Sequence, residues 1–354
     1  MQEVEHTKTL NPQIKDAAVK YVKQMFSLAS DSDLIRLLKK EAFKHIYKKM
    51  VVEPDEFMVK PRPADIESWN GKKPQDPRDF LKSKVVLPSL PQVLLEIQKV
   101  INDPHSSAND LADVLNKDPK LVAAILRLAN SAMYSFRTEV DTTSRAVALL
   151  GFKQASSLAL GTVSLSLFKR SEGTSVLQVE KFWKHSIACG VIAQEIARAA
   201  GYEDVERFFV GGMLHDIGLY VVFESDKSLA LELYERSSKE GNSLYDAEVE
   251  LLGFDHAILG GVIIKDWNFP KSLVIAAAGH HNPEKARNDP DAGIIHIADF
   301  MSQALGYDLG LSSVIGVIDD ETVEKIGIST EQYAAILPGI QSVIDDIFEI
   351  LNPT

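Results

Sequence analysis

Five histidines between positions 185 and 281, two of them followed directly by another ligating residue, have the chemistry of a metal site. They fall as a lone His185, a His215-Asp216 doublet, a lone His256 and a His280-His281 doublet, each in or beside an apolar helical stretch. Neutral imidazole and carboxylate suit divalent transition metals, and pairs converging from several helices can build a site in a bundle core. Asp299, inside the run Ile294-Ile295-His296-Ile297-Ala298-Asp299-Phe300, adds a carboxylate in an apolar setting; an exposed helix face is its plainer explanation. The spacings are long, so spacing alone leaves convergence open, unlike that of a zincin helix.

A single histidine on an apolar helix is more often a satisfied core group than a ligand, and His185 taken alone reads that way. The doublets shift the balance. Asp216 follows the run Phe208-Phe209-Val210-Gly211-Gly212-Met213-Leu214, where an unpaired carboxylate is costly to bury and a metal would relieve the cost. His296, three residues before Asp299, can share its face and support a ligand rather than bind metal itself. His6, His45 and His105 sit in polar or terminal settings and carry no such expectation. Cys189, one turn after His185, reads as a small buried hydrophobe, and Phe182 and Trp183 read as core.

Helices must position these groups. Residues 10 to 50 show two apolar stripes, Ile14 to Met25 and Leu34 to Ile46, which predict a helical hairpin. Pro54, Pro61, Pro63, Pro74 and Pro77 predict an extended connector over residues 51–83, with Trp69 pinning it to a surface. From residue 84 the pattern is densely helical. Asp118 before Pro119 is an N-cap followed by proline at the first helical position, Thr142 or Thr143 caps the next helix, and Gly151 ends it. Further helices are predicted near residues 180–200, 205–217, 244–251, 255–267, 270–281 and 291–305, and residues 306–354 form a C-terminal helical extension. Strand alternation is nearly absent, so an all-α bundle of many short helices is expected.

Composition narrows the function classes. The chain has 354 residues, 45% of them hydrophobic and 25% charged, which is the balance of a globular protein. A formal net charge of −12 argues against a surface built mainly to neutralise nucleic-acid phosphates. One cysteine excludes an intramolecular disulfide and a multi-cysteine zinc site. No segment has the length and apolarity of a signal peptide or a membrane span, so a cytoplasmic protein with no membrane partner is expected.

Several short segments are characteristic in combination: Leu87-Pro88-Ser89-Leu90-Pro91, Asn102-Asp103-Pro104, Asp118-Pro119, Leu126-Arg127-Leu128-Ala129-Asn130-Ser131-Ala132 and Ala148-Leu149-Leu150-Gly151. Together they resemble the HDOD family, an all-helical relative of the HD phosphohydrolases found in bacterial signalling proteins. The resemblance spans about residues 84–305. It implies a multi-helix HD/HDOD-type bundle, with the N-terminal and C-terminal helices as additions. Many HDOD members lack the catalytic ligands, whereas this chain is similar to the HD-GYP phosphodiesterases at those positions. That resemblance implies one metal held by His185, His215, Asp216 and Asp299, and a second by Asp216, His256, His280 and His281. Asp216 would bridge two divalent transition metals, with water as the nucleophile. Iron is preferred on the resemblance, and manganese, cobalt and zinc also suit the ligand set.

The sequence also departs from that pattern. Leu219 stands where a lysine usually follows His-Asp-Ile-Gly, Lys181 stands where a glutamate usually precedes the first histidine, and no Gly-Tyr-Pro loop follows the His-His doublet. Cyclic-di-GMP hydrolysis is therefore not the expectation. Lys265, Lys271 and Lys285 are the candidates to replace the lost phosphate contact, although surface lysines are usually just solvated. Three readings follow: a metal-dependent phosphohydrolase acting on a phosphorylated small molecule or nucleotide, a non-catalytic output module that meets a signalling protein with a structural or sensory metal or none, and a helix-turn-helix binder of nucleic acid. The last rests on residues 110–129 and offers only Lys120 and Arg127 to a groove. The Lys39, Lys40, Lys44, Lys48 and Lys49 cluster reads as a solvated face, with an anionic partner as the alternative.

Overall fold

A computed structural model describes residues 11–52, 69, 71, 73, 74, 76–84, 90–166, 177–238, 242–312 and 314–351, and every regular element among them is a helix. The all-α expectation holds. The N-terminal hairpin comprises α1 (Pro12–Met25), capped by the Asn11 side chain, and α2 (Asp33–Val52). The expected connector is not extended throughout, because α3 (Pro77–Lys84) is a short helix. Proline is tolerated at a first helical position, where its missing N–H has no partner to lose. Phe80 is buried and meets the Phe254 ring edge-on, which anchors this helix. Pro54, Pro61 and Pro63, and the Leu87-Pro88-Ser89 segment, lie outside the described residues.

Five helices follow: α4 (Gln92–Asn102), α5 (Ala108–Leu115), α6 (Pro119–Ala129), α7 (Thr143–Leu150) and α8 (Phe152–Leu165). Asp118 caps α6 by accepting from the Lys120 and Leu121 backbone N–H groups, and Thr142 caps α7. Asn130 explains the Leu-Ala-Asn-Ser-Ala element. Its side-chain amide donates to Leu126 O and Val140 O and its carbonyl accepts from Val140 N, closing the loop between α6 and α7. Arg127 donates to Ile350 O, so one of the two basic groups of the helix-turn-helix reading is used inside the fold.

The central layer is α9 (Val179–Ala199), α10 (Glu206–Leu214), α11 (Ile217–Ser225), α12 (Lys227–Ser237), α13 (Leu244–Leu252), α14 (His256–Asp266), α15 (Lys271–Gly279), α16 (Pro283–Asn288) and α17 (Pro290–Ala304). The helices α8, α11, α12 and α16 were not anticipated. Periodicity cannot reveal α11, since Ile217 through Phe223 are all buried and the helix has no polar face. The C-terminal extension is α18 (Asp320–Ile326), α19 (Thr330–Ile336) and α20 (Ile340–Leu351), and α20 packs its Ile344, Ile347 and Phe348 stripe along α9 and α6. No single helix among the described residues is long and apolar enough to cross a membrane.

Candidate metal centre

Both doublets fall at breaks rather than within helices. The helix expected over residues 205–217 stops at Leu214, His215 and Asp216 form a two-residue turn, and α11 begins at Ile217. Likewise α15 ends at Gly279, with His280 and His281 in the turn beyond it. The two turns use the same device. His215 Nδ1 donates to Gly212 O and His280 Nδ1 to Ala277 O, each at 2.7 Å and three residues back, so each ring keeps Nε2 for the interior. This tautomer leaves Nε2 as a lone-pair donor, the form a metal requires.

Close backbone approach makes the convergence possible. A side chain on Gly212 would collide with the Gly190 backbone, so this glycine pair lets α10 cross α9 near His185. A Cβ on Gly218 would collide with the carbonyl oxygen of His256 and the amide of Gly260, so Gly218 lets α11 seat against α14.

Asp216 lies at the centre of the result. Its Oδ1 is 3.3 Å from His215 Nε2, 3.1 Å from His256 Nε2 and 3.6 Å from His280 Nε2, and its Oδ2 is 3.4 Å from His185 Nε2. Asp299 Oδ1 lies 3.3 Å from His185 Nε2 and 3.7 Å from His215 Nε2, and His281 Nε2 lies 3.0 Å from His256 Nε2. All seven expected residues are thus brought together. Their ligand atoms form overlapping groups with metal-site spacing: His185, His215 and Asp216; His215, His280 and Asp299; and Asp216, His256, His280 and His281.

The donor set fits metal on its own terms. The buried atoms His215 Nε2, His280 Nε2 and Asp216 Oδ1 have no hydrogen-bond partner, a costly condition that cations between them would relieve. Burial opposes charge on His185, but Asp216 and Asp299 outweigh it and raise this imidazole to about 10. Burial also works against Asp216 and Asp299, yet the histidines around them hold both carboxyls well below the ordinary range. Burial, and after it His280 and His256, lowers the affinity of His281 for a proton well below the ordinary range.

A further layer of residues fixes the rings. His185 Nδ1 donates to Tyr307 O at 2.7 Å, with Ser302 Oγ at 3.2 Å. Gln303 donates to Asp299 Oδ1. His296 donates from Nδ1 to His280 O and accepts at Nε2 from the Asp319 backbone N–H. With both nitrogens committed, it supports the His280 turn. Glu248, fully buried, accepts from His256 Nδ1 at 2.6 Å and from the His256 backbone N–H at 3.0 Å. The sequence reading missed it. Its signal was present, because Glu248 interrupts the apolar stripe of Leu244, Ala247, Leu251 and Leu252 at a core position of α13.

The centre opens into a cavity of about 460 Å3, walled by Leu219, Tyr245, Phe300, residues 308–312 and 314–317, and Tyr21, Met25 and Leu28 of the N-terminal hairpin. Lys265, Lys271 and Lys285 do not reach it. They are exposed on α14, α15 and α16, so the expected phosphate contacts are not there, and no lysine or arginine lines the cavity among the described residues. Leu219 is buried in the wall. Cys189 is buried in α9, and burial pushes its thiol well above the ordinary range, consistent with a small hydrophobe.

Comparison with known proteins agrees with this architecture. A crystal structure of an HDOD domain protein with unknown function from Geobacter sulfurreducens superposes with a TM-score of 0.62 at 24% identity, covering 77% of this chain and 96% of that one. A candidate phosphohydrolase from Shewanella amazonensis SB2B gives 0.62 at 26% identity, covering 78% of this chain and 97% of that one. An uncharacterized protein of Treponema pallidum (strain Nichols) is 24% identical over 253 residues, 70% of this chain and 48% of that protein, so the chain spans about half the length of this curated relative. The model of the HDOD domain family matches residues 87–283, more than half of the sequence, and the chain belongs to that family.

Proposed function

We propose that this HDOD protein is a signalling protein whose centre holds two divalent transition metals, iron in preference to manganese, cobalt or zinc, and hydrolyses a phosphoester of a small molecule or nucleotide. The observation that carries the reading is Asp216, whose two oxygens face His185 on one side and His215, His256 and His280 on the other. That placement suits a carboxylate shared by two ions. Two metals bound there would supply Lewis acidity, a nucleophile drawn from water at neutral pH and, in a cavity that no described lysine or arginine lines, the counter-charge for a phosphoester.

The protein's own groups do the rest. Tyr307 O, Gly212 O, Ala277 O and Glu248 hold the Nδ1 protons, so the four rings present Nε2 without reorganising. Leu219 and Phe300 keep that wall apolar, which strengthens electrostatic interactions inside. His281, half-buried at the mouth beside Tyr245, is the ligand nearest solvent.

Elemental analysis of anaerobically purified protein, beside a His215→Ala, Asp216→Ala double variant, tests the centre. About two metals per chain, lost in the variant, is the expected result. A wild type that stays folded and metal-free after metal is supplied would sink the hydrolase reading. A second reading, a non-catalytic output module with a structural or sensory metal, is favoured by the buried Leu219. Metal-replete protein that turns over neither p-nitrophenyl phosphate nor bis(p-nitrophenyl) phosphate would select it.

A further inference from the structure

Beyond its ligands, the metal centre faces a cavity whose side chains are mostly apolar. Leu219, three residues after Asp216, and Phe300, next to Asp299, are buried in the lining, as are Met25 and Ile315. Leu28, Tyr245 and Val317 line the same cavity but are 41%, 41% and 58% exposed, so they mark its opening. The apolar lining thus reaches from the ligands to solvent. Two contacts hold it together. Ile315 N donates to Met25 O at 3.0 Å, which ties the segment after α17 to α1, and Phe26 meets the Phe300 ring edge-on at 5.9 Å, which seats the N-terminal hairpin on α17. Single exposed apolar side chains are ordinary, whereas three around one opening, over a buried apolar wall, mark a binding surface.

Much of the polar lining is engaged with the protein itself. Gln303 donates to Asp299, Ser243 Oγ to Asp246 and Ser312 Oγ to Val314 O, while Asp308 accepts from the Gly310 N–H. His296 is committed at both nitrogens. The two carboxylates outside the ligand set, Asp246 and Asp308, repel any anionic group beyond the one that metals would neutralise, and no described lysine or arginine in the lining offsets them. The further phosphates of a nucleotide find no counter-charge there. We propose that the substrate is a phosphoester with a single phosphate group and an alkyl or aryl portion, and that the hydrocarbon lies along Leu219, Phe300 and Ile315 toward Leu28 and Val317. This rests on the proposed metal-dependent hydrolysis and narrows its substrate. Hydrolysis adds the oxygen of a water to phosphorus and breaks the P–O bond to the hydrocarbon alcohol, which leaves with a proton of that water. The cavity, about 460 Å3, is in the size range of small-molecule sites.

Calorimetric titration of the full chain tests the wall and the phosphate separately. The probes are n-alkanols from butanol to octanol on metal-free protein, and methyl-, butyl- and octylphosphonate, which are not hydrolysed, on metal-free and manganese-loaded protein. Each methylene buried should raise affinity roughly threefold in both series, and manganese should tighten every phosphonate by a similar factor. Leu28→Asp with Val317→Asp at the opening should flatten the rise with chain length by at least half. Leu95→Asp with Leu149→Asp, on comparably exposed positions of α4 and α7 outside the lining, makes the same change in charge and should leave the rise intact. If the first variant loses helicity by circular dichroism, Leu28→Ala with Val317→Ala carries the comparison. Flat series in the wild type, or equal slopes in the two variants, overturn the apolar assignment. A rising alkanol series with phosphonate affinities indifferent to manganese overturns the phosphoester and the hydrolase reading beneath it, while the apolar cavity stands.

Discussion

Glu248 accepts both the Nδ1 proton and the backbone N–H of His256, so one buried carboxylate fixes the ring and the start of its helix. Burial opposes a charged His256, but Glu248 and then Asp216 outweigh it and raise that imidazole well above its ordinary range in the metal-free chain. Replacing Glu248 with glutamine keeps the volume and removes the charge that makes His256 a strong donor. Glu248→Gln should weaken metal binding roughly 10–100-fold, read by competition with a chelator, with helicity retained. An unchanged affinity would mean that the ring needs no such support. Glu248 was legible only as an oddity, a carboxylate on an apolar stripe; its role depends on which residue lies across from it, and that is a tertiary fact.

The helices of the centre are cut to length by their sequences, and the cuts matter more than the helices. Each first histidine of a doublet closes on a carbonyl three residues back, and each second member leaves the helix axis, which a continuous helix through residues 205–217 or 270–281 would not allow. The positions of α11 and α14 depend in turn on Gly218. A methyl group there meets the carbonyl of His256, so Gly218→Ala must push α14 away or strain the turn. Its expected cost is about 1–3 kcal/mol in urea unfolding, with loss of metal affinity in the same variant. A variant as stable as the wild type, with full metal content, would show that the crossing has slack. The helices were readable from caps and stripes, as at Asp118 and Gly151. The break at His215-Asp216 was not, because that turn lies inside an apolar run with no proline, and the glycines flanking it are also compatible with a continuous helix.

Global stability should carry the signature of a group remote from the metal centre. Glu206 opens α10 and is buried to 3% exposure, and burial raises its carboxyl from 4.5 to about 7. A folded pKa above the unfolded one means that the fold holds the neutral form: its contribution is full below about 4.5 and is lost as pH rises through about 7. Urea midpoints at pH 5.5 and 8.5 should therefore fall more steeply with pH for the wild type than for Glu206→Gln, and equal slopes would refute the assignment. At this scale the division of labour between sequence and fold is plain. The sequence by itself determined the helical class, the caps at Asp118, Thr142 and Gly151, the HDOD resemblance and the identity of the seven candidate ligands, because these depend on local periodicity and residue chemistry. Tertiary structure alone decided that Asp216 sits among four imidazoles, that Glu248 and Tyr307 hold two of them, and that Lys265, Lys271 and Lys285 face away. It also brought Lys44, Lys48 and Lys49 of α2 and Lys181 of α9, far apart in the chain, to the lining of one cavity. Such pairings arise where helices cross, and the angle and depth of a crossing are set by packing across the interface, which no single segment encodes.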